Sequence, residues 1–232
     1  MEVRKTTLYL ICIPLTILLF LEAGVLWIVI KSTWTDYSIK LDNFKWTIIG
    51  IIAFMIIRYL IIKLHWPFSK GTGKANLELL ETDIHERIHQ FVALCLGRRL
   101  SSIHVEQHSG VVYSSGSEVS HLLVALAPYC MPMITLIFVI ARVMIKLEWL
   151  WFYDMVIGFS IGFHGVCIYK DTKKSQPDIN QYPLHFSYLY IATFLLLNIT
   201  IILVSIGKGL NIVETIKYLF CNYWDILRNL LL

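Results

Sequence analysis

Long apolar runs separated by short polar stretches dominate the chain. Five of these runs approach the roughly 20 apolar residues that a helix needs to cross the hydrocarbon layer of a bilayer. Each run contains few charged residues. Glu22 is the only charged residue in the first run, and Arg58 is the only one in the second. The predicted membrane spans are Leu8–Ile30, Thr47–Ile62, Val119–Ile145, Trp149–Tyr169 and Leu184–Ile206.

The segment Ala75–Gly97 has a helical pattern but is not uniformly apolar. Apolar residues recur at spacings of three or four, which predicts one apolar face. These residues are Leu77, Leu80, Ile84, Ile88, Val92 and Leu96. Carboxylates and histidines occupy most of the remaining circumference, which lipid does not tolerate. We therefore expect this helix to face other helices or a wet cavity, and counting it as a crossing gives about six membrane helices.

Two further patterns complete the predicted architecture. Between Arg98 and Gly116, two short β-prone runs flank a Ser-Gly turn, which predicts a small β-hairpin, with a plain connecting loop as the alternative. The segment Ile212–Leu232 mixes charged and apolar residues and predicts an amphipathic helix on the membrane surface. The predicted fold is thus an all-α polytopic membrane protein with a hairpin after the charged helix.

This pattern divides the chain into three predicted parts. Residues 1–70 hold two N-terminal spans, residues 71–206 hold the charged helix, the hairpin and three spans, and residues 207–232 form the amphipathic tail. We expect the chemistry to lie in the second part.

Composition narrows the class of protein. Hydrophobic residues make up 57% of the 232 residues and charged residues 16%, against roughly 45–50% and about 25% in soluble proteins. This excludes a soluble enzyme, a disordered chain and a disulfide-rich secreted module. The net charge of +4 comes from scattered basic residues, so no nucleic-acid partner is predicted. The five cysteines form no CxxC pair and are expected to be small buried apolar side chains.

The charged helix contains His85-Glu86-Arg87-Ile88-His89, which has the spacing H-E-x-x-H. Residues four apart share a helix face, so both imidazoles can bind one Zn²⁺ from adjacent turns. Zinc lowers the pKa of a bound water to about 7, and Glu86 lies where it can accept that water's proton. The alternative is a solvated helix face whose histidines are coincidental.

Catalytic zinc takes three protein ligands and leaves one position for water. His164 is the preferred third ligand, because an imidazole in the middle of an apolar span needs a partner. A hydrogen bond to a neighbouring helix is the alternative role for His164, and Asp178 before the fifth span is the second candidate ligand. Asp154 is disfavoured because it lies about 15 Å from His164 along the same helix. The remaining candidates, expected to be solvated, are His104, His108 and His121.

These residues resemble those of a known family. The motif at His85–His89, the Ser109-Gly110 turn and the run Leu122–Tyr129 are similar to those of the bacterial branch of the site-2 protease-like membrane zinc metallopeptidases. The later segments around His164 and Asp178 also resemble that family, and the likeness extends over roughly residues 83–188. It implies a zinc site in or near the membrane, bound by His85 and His89, with Glu86 as catalyst.

The chain departs from the family pattern in two places. Site-2 proteases take the third ligand from an Asp-Gly pair, whereas this chain has Asp178-Ile179, which keeps His164 as a candidate. Arg87 and Ile88 stand where the family usually has an uncharged and a small residue. Arg87 favours, as an alternative function, an inactive peptidase-like membrane scaffold or a metal-binding regulator. A small transporter is a third hypothesis, but it predicts inverted repeats, which are not evident.

The leading prediction is a zinc metalloendopeptidase that hydrolyses peptide bonds of membrane-tethered proteins or peptides. The hairpin would hold the substrate in an extended conformation, because extended peptides bind by adding to a strand edge. The predicted location is the lipid bilayer, as a multi-pass protein of a bacterial cell membrane. No oligomeric state is predicted.

Overall fold

The computed structural model describes residues 5–35, 41–63, 72–105, 110–115, 118–172 and 176–231. Within these ranges the chain is helical apart from two strands and short connections. In chain order the elements are α1 (Lys5–Thr35), α2 (Lys45–Lys63), α3 (Thr72–Cys95), β1 (Arg99–Val105), β2 (Gly110–Ser115), α4 (Glu118–Leu126), α5 (Met133–Ala141), α6 (Leu150–Asp171), α7 (Pro177–Asn180), α8 (Leu184–Lys208) and α9 (Ile212–Leu231).

Four helical segments of the described residues are long and apolar enough to cross a membrane. They are Leu10–Lys31, Asp42–Lys63, Leu147–Asp171 and Leu184–Lys208. A bent pair, Ser120–Tyr129 and Met133–Met144, becomes a fifth if the two pieces are counted as one span. The protein is therefore a polytopic integral membrane protein.

The count of about six membrane helices is wrong for the described residues, because α3 does not qualify as a span. Its charged side chains are too numerous for a helix exposed to hydrocarbon. They are Lys74, Glu78, Glu81, Asp83, Glu86 and Arg87. Glu81 is paired with cations on two neighbouring helices, whereas Lys74 pairs with Glu78, and Asp83 with Arg87, within α3 itself.

The predicted third span is broken near its middle. Pro128 lies in a short 3₁₀ turn, Ala127–Tyr129, and Pro132 directly precedes α5. Proline has no backbone N–H and clashes with the preceding turn, so it interrupts a continuous helix. The axes of the two pieces differ in direction by 83°. This break exposes the backbone of the first turn of α5 to side chains from other helices.

Glycines allow α2 and α6 to pack closely. A β-carbon at Gly158 of α6 would lie 1.9 Å from the carbonyl oxygen of Thr47 in α2, which is impossible without separating the helices. At Gly50 of α2, a β-carbon would lie 2.0 Å from the carbonyl oxygen of Met155. Small residues at such positions allow transmembrane helix backbones to approach closely. The two helices form a closely packed support, to which α3 is attached by side-chain contacts.

A buried ion-pair cluster attaches α3 to this support. Glu81 of α3 pairs with Arg58 of α2 and with Lys170 in the last turn of α6. A buried carboxylate is costly unless it is paired, and here two cations from two different helices compensate it. Since Glu81 lies one turn before His85, the cluster also locates the histidine motif relative to α6.

The C-terminal helix α9 packs on α1 and α8. The hydroxyl of Tyr223 donates a hydrogen bond to the buried Glu22 of α1, and Leu219 lies in one apolar cluster with Val25 of α1 and Val204 of α8. Another side of α9 exposes large apolar residues, Phe220 among them. The placement of this helix on the membrane surface, and the boundaries at residues 70 and 206, stay predictions.

Strands β1 and β2 pair antiparallel directly after α3. Ile103 lies opposite Val112 and Val105 lies opposite Gly110, with an irregularity in register between Leu100 and Ser102. Residues 106–109 lie outside the described residues, so the turn of the predicted hairpin stays a prediction.

Candidate metal centre

Helix α3 presents both histidines of the motif on one side. The ring centroids of His85 and His89 are 5.0 Å apart, as expected for residues separated by one helical turn. His89 is 7% exposed and Glu86 is 5% exposed, whereas His85 is half-buried. The motif therefore lies inside the protein and does not form a solvated helix face.

Asp178 on the short helix α7 approaches the two histidines. One ligand atom from each of His85, His89 and Asp178 can be chosen so that all three lie within 4.8 Å of one another. Asp178 Oδ2 is 3.4 Å from His89 Nε2. Zinc bonds of 2.0–2.2 Å in tetrahedral geometry place donor atoms about 3.3–3.6 Å apart. The donor set and its spacing therefore fit a metal ion.

The tautomer of His89 is set by a backbone contact. Its Nδ1 lies 2.7 Å from the carbonyl oxygen of Val124 in α4, so Nδ1–H donates to that oxygen. In a neutral imidazole this leaves Nε2 as an acceptor that faces the carboxylate of Asp178. Two acceptors 3.4 Å apart require a proton or a cation between them. A hydrogen bond from the distal ring nitrogen is typical of metal-binding histidines.

His85 has a comparable contact to a carboxylate. Its Nδ1 lies 3.2 Å from Oδ2 of Asp171, the last residue of α6. Sequence reasoning missed Asp171; the available signal was an acidic residue at the end of a predicted span, seven positions before Asp178.

Tyr129 is a second residue that sequence reasoning missed. Its hydroxyl donates to Oδ2 of Asp178 over 3.3 Å, and its ring contacts His85 edge-on with centroids 5.3 Å apart. The side chain is fully buried. The break after α4 places this tyrosine against His85, and no local sequence pattern predicts that contact.

Burial and mutual charge shape the protonation of the centre. Burial raises the pKa of Glu86 above its usual value, against the opposing influence of His89 and His85. Burial alone would also raise the pKa of Asp178, but the hydrogen bond with His89 and the charges of both histidines lower it overall. Burial would lower the pKa of His89, yet Asp178 raises it. The centre thus combines a carboxyl group whose pKa is lowered, that of Asp178, with one whose pKa is raised, that of Glu86.

The structure does not bring His164 into this group. Its Nε2 accepts a hydrogen bond from the backbone N–H of Ile134 over 3.2 Å. Ile134 lies in the first turn of α5 after Pro132, where amide groups lack an acceptor within their own helix. The preference for His164 over Asp178 as third ligand therefore differs from the observed geometry, in which His164 makes the interhelical hydrogen bond considered as its alternative role.

The other candidates lie away from the centre or outside the description. Asp154 forms a two-pronged ion pair with Arg142, with contacts of 2.8 and 3.1 Å. The ring of His121 contacts the hydroxyl of Tyr182. His108 lies outside the described residues, as does the side chain of His104. Arg87 is exposed and pairs with Asp83, 3.4 Å away on the same helix.

The fold and the site together define a class: a polytopic membrane protein in which two histidines and an aspartate converge beside a buried glutamate. A family model described as Peptidase M50B-like matches residues 47–172, more than half of the chain, and the chain belongs to this family. The resemblance to site-2 proteases is confirmed, and membership assigns the chain to the membrane-embedded peptidases. The match includes the motif on α3 and ends before Asp178; the bacterial branch stays a prediction. No curated protein and no solved structure matches the chain.

Proposed function

We propose that this protein is a membrane-embedded zinc metalloendopeptidase that hydrolyses peptide bonds in membrane-tethered proteins. The observation that carries the proposal is the convergence of His85, His89 and Asp178 within 4.8 Å, beside the buried Glu86. Family membership independently supports peptidase chemistry.

Two imidazoles and one carboxylate form a ligand set used by catalytic zinc sites with three protein ligands. When bound, zinc supplies Lewis acidity, which lowers the pKa of water and polarises a carbonyl oxygen. On the protein side, His85 and His89 provide neutral nitrogen donors, and Asp178 provides one negative charge. Tyr129 holds the Asp178 carboxylate through its hydroxyl.

Glu86 is the proposed proton carrier. It is adjacent to His85 on α3, and burial raises its pKa, which makes the carboxylate a stronger base. It accepts a proton from the attacking water at a carboxylate oxygen and then donates a proton to the departing amine nitrogen. The substrate is therefore cleaved without a covalent enzyme intermediate.

The two-stranded sheet is the proposed substrate-binding element. It follows α3 directly in the chain, and an extended peptide can add to the free edge of a strand through backbone hydrogen bonds. A metal centre among membrane-spanning helices selects substrates that are themselves tethered to the bilayer. We propose that such a protein or peptide is the partner.

The test combines metal content with cleavage. Purified wild-type protein is expected to contain about one zinc per chain by elemental analysis, and the His85→Ala/His89→Ala double variant is expected to contain almost none. Glu86→Gln serves as the matched variant, which keeps zinc but loses cleavage of a co-expressed membrane-tethered substrate. Wild-type protein without zinc, or undiminished cleavage by Glu86→Gln, would contradict the proposal.

The alternative is a peptidase-like scaffold or metal-binding regulator without activity. The departure at Ile88 favours it, because this buried residue replaces a small one in the motif. It predicts that wild-type protein retains zinc but cleaves no co-expressed membrane-tethered protein. Restoring a small residue with Ile88→Ala is the decisive comparison, because gain of cleavage would identify Ile88 as the cause of inactivity.

A further inference from the structure

The end of α6 contacts α3 through two neighbouring residues. Lys170 pairs with Glu81, and Asp171 contacts His85 one helical turn further along α3. Glu81 also pairs with Arg58, so this turn of α3 is attached to both supporting helices. The position of Asp171 relative to His85 is therefore set by rigid elements and by a second, independent contact.

We propose that Asp171 is the positioning residue of His85, which fixes the tautomer and the orientation of that imidazole. The assignment of His85 as a metal ligand rests on the proposed function. The contact itself, with 3.2 Å between Nδ1 and Oδ2, is observed directly and does not depend on that assignment.

The chemistry of imidazole explains why such a residue is needed. A neutral imidazole carries one N–H and one lone pair, and the proton can occupy either nitrogen. Donation from Nδ1–H to Asp171 leaves the lone pair on Nε2, the nitrogen on the far side of the ring. A carboxylate acceptor also makes the histidine a stronger ligand and limits rotation of the ring.

The two histidines then use the same tautomer with acceptors of different charge. His89 donates from Nδ1 to the neutral carbonyl oxygen of Val124, whereas His85 donates to the anionic Asp171. His89 is buried, whereas His85 is only half-buried, so the orientation of His89 is already restricted by packing. His85, with more freedom, depends more on its acceptor.

Asp171 and the proposed third ligand, Asp178, lie close together in the chain. Asp171 ends α6, and Asp178 lies on α7 seven residues later. Both carboxylates therefore reach the centre from one junction, one by contacting His85 and the other by approaching His89. Asp171 is absent from the group of potential ligands, which includes Asp178.

Zinc affinity of the 232-residue protein in detergent, measured by competition with a chromophoric chelator, provides the first test. Asp171→Ala is expected to weaken zinc binding about 10- to 100-fold. Asp171→Asn keeps an acceptor oxygen and should recover part of the affinity, whereas Asp171→Leu, of similar size, should recover none. Asp83→Ala is the control, because the carboxylate of Asp83 pairs with Arg87 and not with a histidine. This variant should bind zinc like wild type.

A second readout requires no metal. Histidine ¹⁵N chemical shifts of the metal-free protein report which ring nitrogen carries the proton, and His85 should be protonated at Nδ1 in wild type but not in Asp171→Ala. A His85 protonated at Nε2 in wild type, or wild-type zinc affinity in Asp171→Ala, overturns the inference. Wild-type protein that binds no zinc but shows the expected shifts would overturn the proposed function alone.

Discussion

His89 and His164 are both buried histidines on helices, yet their surroundings give them different chemistry. His89 is 7% exposed and His164 is 3% exposed, so burial does not distinguish them. One ring nitrogen of His89 is hydrogen-bonded to a backbone carbonyl oxygen, and the other faces the carboxylate of Asp178. His164 instead accepts a hydrogen bond from the backbone N–H of Ile134.

The difference shows that a buried histidine belongs to a candidate metal site only where other donor atoms converge on it. At His89, the neighbouring turn of α3 and the helix α7 supply an imidazole and a carboxylate. At His164, the break after Pro132 supplies an amide that needs an acceptor, and the ring satisfies it. Both arrangements obey the rule that buried polar groups are hydrogen-bonded, but only the first brings together the donor atoms of a candidate cation site.

The largest expected effect separates the two histidines by zinc affinity. His89→Ala removes a proposed ligand and should weaken zinc binding more than about 100-fold, since changes to outer hydrogen bonds alone cost 10- to 100-fold. His164→Ala should leave zinc affinity within about twofold of wild type. Chelator competition on both purified variants measures this, and equal losses would contradict the distinction drawn here.

The hydrogen bond between His164 and the backbone of Ile134 is also expected to stabilise the fold. His164→Ala leaves the N–H of Ile134 without its acceptor, which should lower the free energy of unfolding by about 1–3 kcal/mol. Gly165→Ala is the control, because a β-carbon there meets no atom within 4 Å and the helix tolerates alanine. Thermal unfolding in detergent compares the two, and a stable His164→Ala protein would show that the hydrogen bond contributes little.

Tyr129 tests whether the centre depends on its surrounding hydrogen bonds. Tyr129→Phe keeps the ring against His85 but removes the donor to Asp178. Zinc affinity should fall about 10-fold, because the carboxylate loses the partner that orients it. Measurement by chelator competition should also show a smaller loss than for His89→Ala; a larger loss would mean that the hydroxyl contacts the metal directly.

The smallest effect is expected at Arg87, although it lies inside the histidine motif. Its side chain is exposed and pairs with Asp83 instead of approaching the histidines. Arg87→Ala should therefore change the free energy of unfolding by no more than about 0.5 kcal/mol and leave zinc content intact. Elemental analysis and thermal unfolding measure both quantities; loss of zinc would show that Arg87 supports the centre from outside.

The part of the site that could be predicted lies within one helix. Residues four apart share a helix face whatever the rest of the fold does, so the spacing of His85 and His89 was sufficient to predict their proximity. The third member was not predictable in this way. Choosing between His164 and Asp178 required knowledge of how α6 and α7 are joined and where the broken span runs.

The number of spans illustrates the same limit. Apolar runs predicted the crossing segments that the described residues contain, because each run alone must meet the requirements of the bilayer. The charged helix α3 was counted as a sixth crossing because its length and periodicity suit one. Its buried Glu81 is instead compensated by Arg58 and Lys170 from two other helices, and a single helix does not reveal these contacts.

The sequence by itself therefore determined the membrane class, the apolar spans and the histidine pair, since each depends on local composition or on spacing within one element. Only the tertiary structure decided the roles of Asp178, Asp171 and Tyr129, and the role of His164 beside Ile134. These depend on distances between elements that are far apart in the chain, and such distances follow from helix packing and from the breaks at proline and glycine.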